Sequence, residues 1–347
     1  MSIPLSILDV APVTAGTTTA QALARSIDLA RFADERGYTR FWLAEHHNTP
    51  SIASTTPEIM IGQIASQTRH LRVGSGGVML PNHAPLKVAE SFKLLEALYP
   101  DRIDLGIGRA PGTDGRTAMA LRRNPDALHA EDFPKNLTDL QHFAHGDFPD
   151  GHPFKSVKAY PQDVNLPPIW LLGSSDFSAR LSAQRGMGFA FAHHINGDFA
   201  VSAMNLYRQN FTPSAEFPDP HAILAASVIC ADTDEEAQDL ALSVSFAFFS
   251  LYAGLPHGPL KSPEEVKAYR FTPQQEHLFK SIAARHIFGS PATVQTRLNR
   301  LIDETQADEL MVLAMVYDHE ARLHSYDLLA EIFQIQPVLE TEPSIMG

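Results

Sequence analysis

Short apolar runs alternate along the chain with segments whose apolar residues recur every three or four positions. These are the periods of buried strands and of amphipathic helices. Residues 4–10 form the first run, which stops at Ala11-Pro12. Thr18 and Gln21 then have capping-box spacing, Leu23, Ile27, Ala30 and Ala33 share a helical face, and Gly37 is placed as a C-cap. A second strand is predicted over Phe41-Trp42-Leu43-Ala44, and Thr56-Pro57 opens a helix carrying Ile59, Ile61, Ile64 and Ala65. A third strand covers 71–80 and is followed by a helix over 84–98; a fourth, over 102–109, has Ile103, Leu105 and Ile107 as its apolar positions. Strand five (168–173) precedes a helix over 176–185, and strand six (188–193) precedes one over 199–210. Strand seven (222–230) leads into an acidic helix start at Thr233-Asp234-Glu235-Glu236. Ser290-Pro291 caps a helix with Val294, Leu298, Leu301 and Ile302 on one face, and strand eight (309–314) and a helix over 320–333 end the series.

Eight strands alternating with helices, with no linker-like stretch between halves, predict an α/β protein with a single (β/α)8 TIM-barrel domain over 1–347. A doubly wound sheet is the competing arrangement, because a strand count does not show closure. Two stretches break the pattern. Residues 112–164 hold one predicted helix, 135–143, and 254–288 are rich in Pro, Gly, Lys and Gln. Both read as irregular insertions at the C-terminal face, the second as a mobile lid.

Composition narrows the function. Hydrophobic residues make up 44% and charged residues 19% of the chain, and no apolar run approaches a bilayer span. Met1-Ser2-Ile3-Pro4 lacks the basic start of a secretion signal, so a cytoplasmic location is expected. One cysteine, Cys230, excludes an internal disulfide and a thiolate metal cage. A formal net charge of −13 argues against nucleic-acid and anionic-membrane partners, so an anionic ligand needs a local nest of donors.

The chemistry-bearing residues gather at predicted strand ends. Strand two runs into Glu45-His46-His47, groups that move protons or bind ions. Gly173-Ser174-Ser175, with Ser178 one turn on, sits where a strand becomes a helix. Backbone N–H groups and hydroxyls there suit an anion, and Arg109 at a neighbouring strand end offers a guanidinium fork. Ordinary N-capping by Ser175 and a surface arginine account for the same residues. Gly74, Gly76 and Gly77 interrupt strand three, through either a bend or a flat ring close to the backbone.

Glu45, His46, His47, His83, His193 and His194 invite a metal reading. The first strand ends without a ligand pair, however, and adjacent His46 and His47 point to opposite sides of a strand, so no metal is expected. There is no nucleophile elbow. The run Gly106-Ile107-Gly108-Arg109-Ala110-Pro111 fails the dinucleotide fingerprint at its last position.

Four motifs in order resemble the bacterial luciferase-like family of flavin-dependent monooxygenases. They are Trp-Leu-Ala-Glu-His-His at 42–47, Gly-Ser-Gly-Gly-Val-Met-Leu-Pro-Asn-His at 74–83, Arg-Ile-Asp-Leu-Gly-Ile-Gly-Arg-Ala-Pro at 102–111 and Trp-Leu-Leu-Gly-Ser-Ser at 170–175. The resemblance is greatest to the single-chain, alkanal-monooxygenase-like branch. It implies a TIM barrel that takes reduced FMN as a co-substrate and oxygenates a small organic molecule such as an aldehyde or ketone. It also implies a separate flavin reductase. His46 falls on the family's catalytic histidine, with Glu45 and His47 beside it. Gly76, Gly77, Met79, Gly108, Arg109, Ser174, Ser175 and Ser178 fall on flavin-binding positions, with a cis peptide implied at Gly76-Gly77. Family members pair through the helices after strands two and three, which implies a homodimer through 57–68 and 84–98. Luciferase itself differs, with a reactive cysteine in place of Gly108 and an acidic residue in place of Ser174. A deazaflavin-dependent dehydrogenase and a non-catalytic flavin-binding protein are the alternatives.

Overall fold

The computed structural model describes residues 3–122 and 132–338. Its apolar runs become the strands β1 (Leu5–Asp9), β2 (Arg40–Leu43), β3 (Arg72–Ser75), β4 (Val78–Met79) and β5 (Ile103–Gly108). They continue as β6 (Ile169–Gly173), β7 (Gly188–Ala192), β8 (Ala222–Cys230), β9 (Ile287–Gly289) and β10 (Glu309–Leu313). The intervening helices are α1 (Thr19–Arg36), α2 (Pro57–Ala65), α3 (Pro85–Leu98), α4 (Gly115–Arg122), α5 (Phe133–His145), α6 (Asp176–Arg185) and α7 (His193–Asn196). After them come α8 (Ala200–Gln209), α9 (Asp234–Tyr252), α10 (Pro263–Lys267), α11 (Pro273–Ala283), α12 (Pro291–Thr305) and α13 (His319–Ile332).

Neighbouring strands are parallel throughout, and β10 pairs with both β1 (Leu5 opposite Leu310) and β8 (Glu309 opposite Ile223). That double pairing closes an eight-position barrel, with β3 and β4 sharing one position, and it excludes the doubly wound sheet. Ile7, Phe41, Leu310 and Val312 are wholly buried, each worth about 1.5–3 kcal/mol of transfer free energy. At the N-terminal end of the barrel the interior is ionic. Arg40 bridges Asp104 (2.9 Å) and Glu309 (2.7 Å), and Arg72 also pairs with Asp104 (2.6 Å). Trp42 Nε1 donates to Asp104 and the Ser6 hydroxyl to Glu309. Burial opposes charge on both carboxyls, but the guanidinium groups outweigh it and hold both below the usual range.

Local signals place many element ends as expected. Thr18 and Gln21 form the capping box of α1, and Gly37 ends that helix in the left-handed region at φ 88°. Several elements depart from the sequence pattern. The strand expected over 71–80 is cut at Gly76–Gly77, whose peptide bond is cis, so β4 is a separate pair of residues beside β5. The strand expected to reach His193 stops at Ala192, and His193 starts the one-turn α7.

The 254–288 stretch is not irregular: it holds α10, α11 and β9. Ser262 with Glu265 and Thr272 with Gln275 make two capping boxes, and proline opens both helices. Phe249, Val266 and Ile282, with Tyr269, Phe271 and Phe279 packed on them, give this insertion a small core against α9. The other insertion likewise holds α4 and α5, the latter longer than the predicted 135–143. Among the described residues no helix is long and apolar enough to cross a membrane.

Candidate active site

Because all barrel strands are parallel, their C-terminal ends open at one mouth. There Glu45, His46 and His47 lie in the loop just past the end of β2. Glu45 and His47 bond each other, and the His46 ring does not join them.

Glu45 is 1% exposed and fully engaged. Its Oε1 accepts from His47 Nε2 (2.8 Å) and His83 Nε2 (2.9 Å), and its Oε2 accepts the Met79 N–H (2.8 Å). Since a carboxylate only accepts, both imidazoles carry their proton on Nε2. Burial raises the Glu45 pKa, but the bonds from His83, His47 and Met79 outweigh it and hold the carboxyl below its ordinary range. Burial alone lowers the His83 pKa, yet the bond and charge of Glu45 raise it overall. The surrounding loops are stitched together. Asn82 Nδ2 donates to the Pro111 carbonyl (2.9 Å), the His47 N–H to the Gly112 carbonyl (3.2 Å) and the Thr113 hydroxyl to the His47 carbonyl (2.9 Å). Gly112 sits at φ 65°, and a Cβ there would lie 2.7 Å from the Glu45 carbonyl oxygen, so that approach requires glycine.

His46 is different. Its N–H donates to the Ser54 carbonyl (3.0 Å), while its Nδ1 is buried with no partner among the described residues. Burial lowers its pKa; Glu45 opposes and His47 assists, so the ring is neutral at pH 7. His194 lies within its electrostatic reach. Burial pushes that imidazole down to about 4, and its Nδ1–H donates to the Ala225 carbonyl (3.1 Å). His286, also held down to about 4 by burial and His194, pairs through Nδ1 with the Ser227 hydroxyl (2.9 Å).

The anion-binding candidates converge on the start of α6. Ser175 is its N-cap in extended conformation, but its side chain makes no capping hydrogen bond. Ordinary capping therefore does not explain it. Arg109 has no carboxylate partner among the described residues, and its guanidinium carbon lies 4.1 Å from the centre of the Phe177 ring. The Ser178 hydroxyl donates to the Leu172 carbonyl (3.1 Å), and the Ser174 carbonyl accepts from Asn196 (3.0 Å). Met79 and Gly108 are neighbours, since a Cβ on Gly108 would stand 2.7 Å from Met79 Sδ.

Sequence reasoning missed Asn82, Ser227 and His286. Asn82 lay inside a quoted motif, but nothing in its spacing separates a loop-bridging amide from an exposed one. His286 lay in a stretch that the pattern left irregular. Among the described residues no group of three His, Cys, Asp or Glu is arranged to hold a metal ion. The Glu45 carboxylate is taken up by two imidazoles, and the His46 ring is not one of them.

A model of the luciferase-like monooxygenase family matches residues 3–309. The Escherichia coli K12 luciferase-like monooxygenase is 42% identical over 331 residues, covering 95% of this chain and 97% of that protein. The Bacillus subtilis N-acetyl-S-alkylcysteine monooxygenase is 36% identical over 337 residues, covering 95% and 98%. In fold alone, the chain is similar to the oxygenating constituent of Pseudomonas putida 3,6-diketocamphane monooxygenase in complex with FMN. The TM-score is 0.71 at 20% identity, covering 98% of this chain and all of that one. With a closed barrel, the ordered motifs at its mouth and these relatives, the chain belongs to the luciferase-like family of flavin-dependent monooxygenases.

Proposed function

We propose that the chain takes reduced FMN as a diffusing co-substrate from a separate reductase and oxygenates a small organic molecule, with an aldehyde or ketone carbonyl as the acceptor. What supports this reading is Arg109, without a carboxylate partner among the described residues and stacked on Phe177 at the uncapped start of α6, together with the buried His46 nitrogen that has no partner among those residues. An anionic group and a flat ring fit that set. Arg109 and the first N–H groups of α6 would hold the phosphate, with Ser174 and Ser175 supplying hydroxyls. Ser178 supports them from below, its proton already committed to Leu172. Backbone at Gly76, Gly77, Met79 and Gly108 would flank the ring.

Reduced FMN supplies the electrons for oxygen activation. His46, neutral and desolvated, exchanges a proton at Nδ1 where water is scarce. A thioether sulfur is a second acceptor class, favoured by the Bacillus subtilis relative whose name specifies an S-alkylcysteine substrate.

A cytoplasmic homodimer completes the reading. On α2 and α3, Ile59, Leu94 and Leu98 are 69%, 55% and 60% exposed, and Tyr160 lies beside them in one shallow cavity. The test is an anaerobic titration with reduced FMN and, separately, a reduced deazaflavin. Arg109→Gln should weaken FMN binding about tenfold or more, the value of a charge-assisted phosphate contact. Tighter binding of the deazaflavin would overturn the monooxygenase mechanism in favour of hydride transfer. Unaltered FMN affinity in the variant would remove the phosphate site from Arg109.

A further inference from the structure

We propose that Glu45 is a positioning residue, the charged clamp that fixes the flavin-facing backbone around Met79, and that it does not itself transfer a proton. The inference deepens the flavin reading of the mouth and rests on it.

A proton-transfer group needs a free lone pair and a protonation state that changes near the working pH. Glu45 has neither. Both oxygens accept from the protein, at 2.8–3.0 Å from His47, His83 and the Met79 N–H. Asn82 Nδ2 stands 3.4 Å away on the Oε1 side. The donors come from different pieces of chain: His47 from the loop after β2, Met79 from β4, and Asn82 and His83 from the turn before α3. Asn82 carries the connection on to Pro111, and His47 carries it to Gly112 and Thr113, in the loop after β5. One carboxylate thus ties together the ends of β2, β4 and β5.

What this holds in place is specific. The Met79 N–H points at Glu45, and the Met79 sulfur covers Gly108. Met79 and Gly108 are two of the backbone positions assigned to the flavin ring. Releasing the amide frees β4, a two-residue strand paired only with β5, to shift against the ring site. His46 keeps its own backbone bond to Ser54, and the His83 variants break the clamp while leaving the Glu45 charge that acts on His46 in place.

The test uses the full-length protein and two readouts. Hydrogen exchange in the absence of flavin reports on two segments, 76–83 and the His47 amide that donates to Gly112, and anaerobic titration with reduced FMN reports on the assembled site. Glu45→Gln should speed exchange in both segments and raise the FMN dissociation constant about tenfold, the loss of one charge-assisted bond. His83→Ala should act in the same direction. His83→Gln, whose amide can still donate to Glu45, should restore wild-type exchange and bring affinity back to within about threefold. If Glu45→Gln proves unable to fold, the two His83 variants decide alone.

Unchanged exchange in His83→Ala overturns the proposal, as does failure of His83→Gln to rescue. So does a Glu45→Gln protein with wild-type exchange and affinity but no oxygen turnover, because that outcome assigns Glu45 to the chemistry. If the wild type binds no reduced FMN, the flavin reading falls. The exchange data still judge the clamp.

Discussion

Arg40 offers a stability prediction whose size follows from burial. It is 6% exposed and is the one guanidinium that Glu309 receives among the described residues, while Asp104 also has Arg72. Arg40→Gln leaves Glu309 wholly buried with the Ser6 hydroxyl and a marginal approach of His221 at 3.3 Å. Breaking a buried ion pair from one side costs about 3–5 kcal/mol. For 347 residues the unfolding entropy is about 0.7 kcal/mol/K, so the melting temperature should fall by about 4–7 °C at pH 7.

The pH dependence has a definite sign. Asp104 and Glu309 have folded pKa values below their ordinary ones, so their contribution is present above the ordinary carboxylate range and is lost as pH falls through the folded values. Without Arg40 that depression relaxes, and the variant can protonate its carboxyls at higher pH. The gap between the two proteins should therefore be widest above about pH 5 and shrink towards pH 4. Calorimetric melts from pH 4 to 8 read it. A gap that ignores pH, or one under about 1 °C, would show that the network contributes no net charge stabilisation. Reduced-FMN affinity should stay within about twofold, because the network occupies the end of the barrel opposite the mouth.

Other outcomes are as definite. His46→Ala should cut oxygen-dependent turnover by about 10²–10⁴ with little change in melting, since the ring nitrogen makes no protein bond. In the wild type the acid limb of that turnover should lie below pH 6.5, because burial lowers the His46 pKa, and a limb above 6.5 would contradict this. Gly108→Cys should destabilise by about 1–3 kcal/mol, since its Cβ would meet Met79 Sδ at 2.7 Å; an unchanged melting temperature would refute the packing argument. Leu94→Glu, on the exposed face of α3, should convert a dimer to monomers in sedimentation at micromolar concentration, and a wild type that already sediments as a monomer would refute the assembly.

The barrel was legible because its strands are continuous apolar runs and its helices carry local end signals such as Thr18, Gln21 and Gly37. The break at Gly76–Gly77 was legible only as weakness, because three glycines announce a bend without saying where it falls. The 254–288 helices were missed although Ser262-Pro263 and Thr272-Pro273 begin them. The first is only 5 residues long, and the apolar residues of this stretch, Val266 and Phe279 among them, find their partners on α9, too far off in sequence to leave a local pattern. Long-range polar structure left no trace at all. Arg40 and Glu309 are 269 positions apart, and nothing in either local sequence distinguishes an inward charge from an outward one.

At the mouth, the sequence could name Glu45, His46 and His47 but could not tell their surroundings apart, and the hydrogen bonds do so. Glu45 and His47 join a cluster in which the Glu45 carboxylate, depressed in pKa, meets the His83 imidazole, raised in pKa. His46, like His194 and His286, is pushed towards neutrality by burial. An ion-paired cluster resists changing its protonation state, which suits holding loops in place. A neutral, desolvated imidazole with a ring nitrogen left free by the protein has a site at which a proton can be given or taken. On the proposed reading, the same three-residue motif supplies rigidity through Glu45 and His47 and proton chemistry through His46.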